Sequence, residues 1–167
     1  MFTLALLFAA SSVAEQMAPA KQGLLQCQSP IPSMKTCDSL AKVTQVAPGS
    51  YRFEAELMLD ADGPVIAYER STTTVQGDRV CEPVRLADIN KWTFTIAGRP
   101  ATAAQANGFR SLLRQRLAPI NGVTLCTSIV PDGDMHLVQA FVGARRVEAL
   151  DYSMKWVSPK DGWKVAP

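Results

Sequence analysis

The sequence lacks most of the residue patterns that accompany metal, redox, nucleotide or nucleic-acid chemistry. It has a single histidine, His136, and no Cys-x-x-Cys pair, which argues against zinc sites and thioredoxin-like redox centres. Glycine-rich phosphate loops, the HExxH motif and dinucleotide fingerprints are missing. The net charge is only +2, and the densest basic spot is the pair Arg145-Arg146. We therefore expect no metal, no cofactor and no nucleic-acid partner.

Long apolar runs are also scarce. The apolar block at residues 2–10 is shorter than the roughly 20 residues that a membrane-spanning helix needs. Small residues follow it, and Ser12-Val13-Ala14 suits the positions that a signal peptidase reads, although no Lys or Arg precedes the block. This pattern predicts a signal peptide at residues 1–14, with cleavage after Ala20 as an alternative. Charged residues interrupt every later apolar stretch, so we expect no membrane span in the mature form.

The remaining length and composition suit one folded domain. The chain has 167 residues, of which 47% are hydrophobic and 19% charged, and this balance is ordinary for a globular protein. Residues 15–26 are predicted to be a flexible lead. Residues 27–167 are predicted to form a single globular domain.

Four cysteines, Cys27, Cys37, Cys81 and Cys126, form an even set. In an exported chain, which meets an oxidising compartment, such a set predicts two disulfides. Three pairings are open. The simplest is Cys27–Cys37 with Cys81–Cys126, and the next is Cys27–Cys81 with Cys37–Cys126. A periplasmic or secreted location follows from the same reasoning.

Strand patterns dominate the chain. Tyr51, Phe53, Ala55, Leu57 and Leu59 alternate with polar or charged neighbours, which is typical of a strand with one buried face. Further strands are predicted at residues 65–75, 79–84, 92–96, 123–130, 135–142 and 147–157, with a short one at 163–165. Turn signals such as Gln76-Gly77-Asp78 separate them.

One principal amphipathic helix is predicted after residue 102. Thr102 and Gln105 form a capping-box pattern, and Phe109, Leu112, Leu113 and Leu117 recur at helical spacing. Strands in runs with one segregated helix predict an α+β fold, mainly an antiparallel β-sheet, stabilised by disulfides.

Candidate catalytic residues are limited to carboxylates. Glycoside cleavage needs two acids facing each other across a cleft, and the sequence does not show which acids do so. The available acids are Glu54, Glu56, Glu69, Glu82, Asp88 and Glu148. A small envelope hydrolase with acidic catalytic residues is therefore the alternative function, and no individual residue is assigned a catalytic role.

The leading hypothesis is an exported, non-catalytic binding or structural module of the bacterial envelope. Its partner would be a protein, an envelope polymer or a small ligand. Exposed aromatic and basic residues near the C-terminus are the first candidates for a binding surface: Arg145, Arg146, Trp156, Lys160 and Trp163. A lesser alternative is a secreted protease inhibitor that presents the loop between Cys27 and Cys37, with Met34 and Lys35 at its tip.

The segments "CQSPIPSMKTC", "VCEPV", "LCTSIVPDGDM" and "WVSPKDGWKVAP" span nearly the whole predicted mature chain. In this layout the sequence resembles small exported proteins of unknown function from Gram-negative bacteria. The resemblance implies secretion and intact disulfides. It implies no catalytic residue, because no biochemistry is attached to these segments.

Overall fold

A computed structural model describes residues 12–60 and 62–166, about half of them in β-strands. The part of the predicted signal peptide at residues 1–11 lies outside the described residues. The strands are β1 (Leu25–Gln28), β2 (Thr36–Cys37), β3 (Ser39–Ala47), β4 (Ser50–Asp60), β5 (Val65–Gln76), β6 (Arg79–Pro83), β7 (Thr93–Ile96), β8 (Arg99–Pro100), β9 (Thr124–Asp132), β10 (Met135–Val142), β11 (Arg145–Arg146), β12 (Tyr152–Val157) and β13 (Lys164–Val165). The helices are α1 (Val13–Gln16), α2 (Ala18–Lys21) and α3 (Ala103–Leu117), and 3-10 helices lie at Leu86–Lys91, Ala118–Ile120, Glu148–Leu150 and Pro159–Asp161.

The longer strands form a closed ring. Their order is β4, β3, β1, β12, β10, β9, β6 and β5, and β5 pairs back onto β4. Every pairing around this ring is antiparallel. Within the described part of the chain, the result is a closed eight-stranded antiparallel β-barrel.

The predicted α+β class is therefore wrong. The prediction was a mainly antiparallel sheet with one segregated helix, whereas the strands close into a ring whose inward faces pack towards one another. The difference comes from β1 and β3, which lie in stretches where no strand is predicted. They insert between β12 and β4 and close the sheet.

Most of the individual strand predictions match β4, β5, β6, β7, β9 and β10. The predicted strand at residues 147–157 is shorter, because Glu148–Leu150 is a 3-10 helix and β12 begins at Tyr152. The side chain of Asp151 links the start of β12 to β10, because its Oδ1 accepts a hydrogen bond from the backbone N–H of Ala140 at 2.8 Å. Leu150 is consequently 46% exposed instead of lying on a strand face.

The lumen of the barrel is packed at one end by the N-terminal helices. Val13 and Met17 are buried against Val43, Ile129 and Met154 from the ring. Met17 lies within residues 15–26, the predicted lead. The Gln16 side chain adds a polar contact, since its Oε1 accepts a hydrogen bond from the backbone N–H of Ile129 at 3.0 Å.

Helix α3 packs beside β5 and β7. The predicted capping box is present: Gln105 Oε1 accepts a hydrogen bond from the Thr102 N–H at 2.9 Å, and Thr102 Oγ1 accepts one from the Gln105 N–H at 3.3 Å. Phe109 contacts Phe94 with ring centroids 5.3 Å apart. Ala67 of β5 and Leu57 of β4 belong to the same apolar cluster, so the helix packs against the inward face of these strands at this edge of the barrel.

Both disulfides form in the first of the pairings considered, with Cys27 bonded to Cys37 and Cys81 to Cys126. Cys81 and Cys126 are directly opposed on neighbouring strands β6 and β9. Cys27 and Cys37 are buried with Val157, and Trp163 packs on them. None of the helices among the described residues is long and apolar enough to cross a membrane.

Removing the second disulfide is expected to destabilise the fold more than removing the first. In the chain-entropy model, Cys81–Cys126, with a sequence separation of 45, contributes about 4 kcal/mol, and Cys27–Cys37, with a separation of 10, about 2.8 kcal/mol. All four cysteines are buried, so the packing lost on truncation is similar. Urea unfolding of Cys81→Ala/Cys126→Ala and Cys27→Ala/Cys37→Ala measures both losses. A larger loss for the Cys27–Cys37 pair would contradict this order.

Candidate functional site

The lumen of the barrel contains a cavity of about 340 Å³. This volume lies in the range of pockets that hold small molecules. Inward-facing side chains from all eight strands of the ring line it, together with Leu150. They are Gln26, Gln28, Ser39, Ala41, Phe53, Ala55, Leu57, Glu69, Ser71, Thr73, Val80, Glu82, Leu125, Thr127, Ala140, Tyr152 and Met154. Most of this wall is apolar, and its carboxylates are confined to β5 and β6.

A second cavity of about 400 Å³ adjoins the first. The two share Glu69, Ser71, Glu82 and Leu125 as lining residues. The second cavity continues past the 3-10 helix at residues 86–91 to side chains that include the exposed Arg85 and Lys91. It therefore connects the carboxylate end of the lumen with the surface, and we call it the outer cavity.

Strand alternation places Glu69 and Glu82 at the junction of the two cavities. On β5, Glu69 lies in the same inward row as Ala67 and Ser71, and on β6 Glu82 lies inward because its neighbour Cys81 faces the other way. Burial raises the pKa of Glu69 to about 7, and the nearby charge of Glu82 adds to this. Burial also raises the pKa of Glu82, which a hydrogen bond from Ser71 partly offsets. Neither carboxylate forms an ion pair with any residue that the structure describes.

Tyr152 reaches the same cavity from β12, on the opposite side of the ring. Burial raises its pKa to about 12, and the charge of Glu82 contributes, so the phenol keeps its proton. Its hydroxyl makes no hydrogen bond to any of the described residues. The lumen thus contains two carboxyl groups at the junction and, from the opposite side of the ring, a phenol with no hydrogen-bond partner among the described residues.

The structure shows which of the six candidate acids line the lumen and which lie elsewhere. Glu54 and Glu56 lie on the outward face of β4, where Glu54 pairs with Arg70 at 2.5 Å. Glu148 is exposed, and Asp88 pairs with Lys91 at 2.7 Å in the outer cavity. A usable sequence signal existed for Glu69, because it interrupts the small and apolar inward row of β5.

The predicted surface residues divide into two groups. Met34 is 57% exposed, and Lys35 beside it donates a hydrogen bond from Nζ to the backbone carbonyl of Asp161 at 2.9 Å. Lys160 is exposed next to Asp161, and Trp163 packs on the Cys27–Cys37 disulfide, so these four residues lie in one region. This region surrounds the loop that the inhibitor hypothesis uses, and that hypothesis stays a prediction.

The other predicted surface residues do not join that region. Arg145 and Arg146 form β11, which pairs with β10, and Arg146 forms an ion pair with Asp151 at 2.5 Å. Trp156 packs against the core cluster inside the barrel, and its Nε1 is buried without a hydrogen-bond partner in the described chain. It is therefore not an exposed anchor for a partner.

No protein-family model, curated protein or solved structure matches this chain. The resemblance to small exported Gram-negative proteins stays a prediction. Function is accordingly argued from the cavity itself. Within residues 12–60 and 62–166, no group of three His, Cys, Asp or Glu side chains is arranged to hold a metal ion.

The variant Glu69→Gln is expected to remove a pH dependence of stability. Glu69 has a raised pKa in the native state, about 7 against an ordinary 4.5, so the native state binds its proton more tightly than the unfolded chain does. The contribution of the Glu69 carboxyl group to the free energy of unfolding is fully present below about pH 4.5 and is lost as the pH rises through 7. The variant should match the wild type at pH 4 and exceed it at pH 8, by on the order of 2 kcal/mol for this half-buried group.

Urea unfolding at the two pH values measures this difference. Glu148→Gln is the matched control, because Glu148 is exposed and outside both cavities. Equal pH dependence in Glu69→Gln and the wild type would show that the carboxyl group is not buried in solution.

Proposed function

We propose that this chain is a non-catalytic binding protein that carries one small, largely apolar ligand in the lumen of its barrel. The observation that carries the proposal is the cavity of about 340 Å³ inside a closed ring of strands. An eight-stranded barrel is the size at which the interior either fills with side chains or holds one small ligand. Here the N-terminal helices fill one end, and the other end stays open to the outer cavity.

The walls determine the ligand's general character. Phe53, Leu57, Leu125 and Met154 offer apolar surface, which favours a hydrocarbon or aromatic body. The ring is hydrogen-bonded on both sides of every strand, so the cavity is largely formed before binding and little conformational entropy is lost.

We further propose that the protein works in the periplasm or outside the cell. The two disulfides support this location, because disulfides persist in oxidising compartments.

The test is a titration with the neutral fluorophore N-phenyl-1-naphthylamine, whose emission rises in apolar surroundings. We expect one site per chain in the wild type. Ala41→Phe, which places a ring into the cavity wall, should weaken binding by roughly tenfold or more. Thr44→Phe is the matched control, because Thr44 is exposed on the same strand. Equal affinities in the two variants, or no binding by the wild type, would contradict the proposal, and thermal unfolding checks that both variants are folded.

Hydrolysis of a glycosidic bond is the second candidate function. Glu69 and Glu82 share one cavity, and the raised pKa of Glu69 suits a general acid. The second carboxyl group of a glycosidase must be ionised to act as base or nucleophile. The pKa of Glu82 is raised, which opposes ionisation, so the site favours binding over catalysis.

An aryl-glycoside panel separates these two functions. Binding alone predicts no turnover by the wild type. Turnover that Glu69→Gln and Glu82→Gln each abolish, while Glu148→Gln retains it, would establish the hydrolase and overturn the binding protein.

A further inference from the structure

We propose that the ligand carries a protonated amine, held at the junction of the two cavities by Glu69, Glu82 and the hydroxyl of Tyr152. Its apolar body would extend from there into the lumen. This inference rests on the proposed function, because it names the head group of the ligand that occupies the same cavity.

The first argument is the missing countercharge. Two carboxyl groups line one cavity, and neither pairs with a cation among the described residues. Nearby cations are engaged elsewhere: Arg70 pairs with Glu54 at 2.5 Å, and Lys91 with Asp88 at 2.7 Å. Arg85 lines the outer cavity together with Arg70 and Lys91, and none of the three lines the lumen. A bound cation would favour ionisation of both glutamates and offset their mutual repulsion.

The second argument is hydrogen-bond capacity. An alkylammonium group has three N–H donors and no acceptor. Glu69 and Glu82 supply carboxylate oxygens, and the Tyr152 hydroxyl oxygen, which has no described partner, supplies a further acceptor. Glu69 and Glu82 come from the neighbouring strands β5 and β6, and Tyr152 faces the same lumen from β12, across the ring.

The third argument excludes other head groups. An anionic ligand would be placed beside two carboxyl groups with no lumen-lining cation to compensate it. A metal ion is disfavoured, because the described residues offer no group of three suitable acidic, histidine or cysteine ligands. A neutral hydroxyl could bond to one glutamate but would leave the charge uncompensated.

Three ligands of equal chain length test the inference: octylamine, 1-octanol and octanoate. Each competes with N-phenyl-1-naphthylamine for the wild-type protein at pH 7, where an alkylamine is protonated. We expect octylamine to displace the probe at roughly tenfold lower concentration than 1-octanol. The difference would reflect the stronger contact of the ammonium group, compared with a hydroxyl group, with Glu69 and Glu82. Octanoate should be the weakest competitor.

Glu82→Gln removes one carboxylate while keeping the side-chain shape. It should lose most of the preference for octylamine over 1-octanol, a ratio measured within the variant itself and therefore independent of any change in its affinity for the probe. Glu148→Gln, outside the cavities, should retain the full preference.

The outcomes are distinguishable. If the probe binds in the lumen but 1-octanol or octanoate competes as well as octylamine, the amine inference is overturned and the proposed function stands. If Glu82→Gln keeps the full preference for octylamine, the assignment of Glu82 to the amine contact is overturned. If neither the probe nor any of the three ligands binds, the proposed function fails and this inference fails with it. The wild-type comparison alone decides the head group should Glu82→Gln fail to fold.

Discussion

Closure of the strand ring is the constraint on which the rest of the structure depends. The pairing of β5 with β4, together with the insertion of β1 and β3 between β12 and β4, leaves no free edge among the ring strands. Inward side chains from all eight strands then face a common interior, which is packed at one end and holds the cavity. Because the strands are held on both sides by backbone hydrogen bonds, the space between them cannot collapse as a simple two-layer core would.

That space is chemically uneven along its length. Val13, Met17 and Met154 pack at one end, where the lumen is filled. Glu69 and Glu82 lie where the lumen meets the outer cavity, and burial there raises the pKa of each. A barrel stabilised only by packing would have little reason to keep two unpaired carboxyl groups inside it, because burying them lowers stability at neutral pH. This destabilising arrangement is the strongest physical argument that the lumen serves a ligand.

The outer surface supports a different set of interactions. Around the Cys27–Cys37 disulfide, Lys35 donates a hydrogen bond to the Asp161 carbonyl, and Trp163 packs against the cluster that contains both cysteines. The chain after β12 therefore returns to the loop that precedes β2, and β13 pairs with β2. On the far side, the guanidinium of Arg79 lies 3.5 Å from the centre of the Phe141 ring, beside the second disulfide. Both cross-links thus sit in packed regions outside the lumen, where they stabilise the ring without occupying the cavity.

The sequence by itself determined the local features of this protein. The alternation of Tyr51 through Leu59 and the capping box at Thr102 depend on neighbouring residues, so they were predictable, and the even number of cysteines predicted two disulfides while leaving three pairings open. Tertiary structure alone decided that β1 and β3 close the sheet, that Trp156 faces inward, and that only Glu69 and Glu82 of the six acids considered line the lumen. The physical reason is that period-two alternation defines the two faces of a strand, whereas the strands it pairs with, and hence the side that becomes the lumen, depend on contacts between residues distant in the chain.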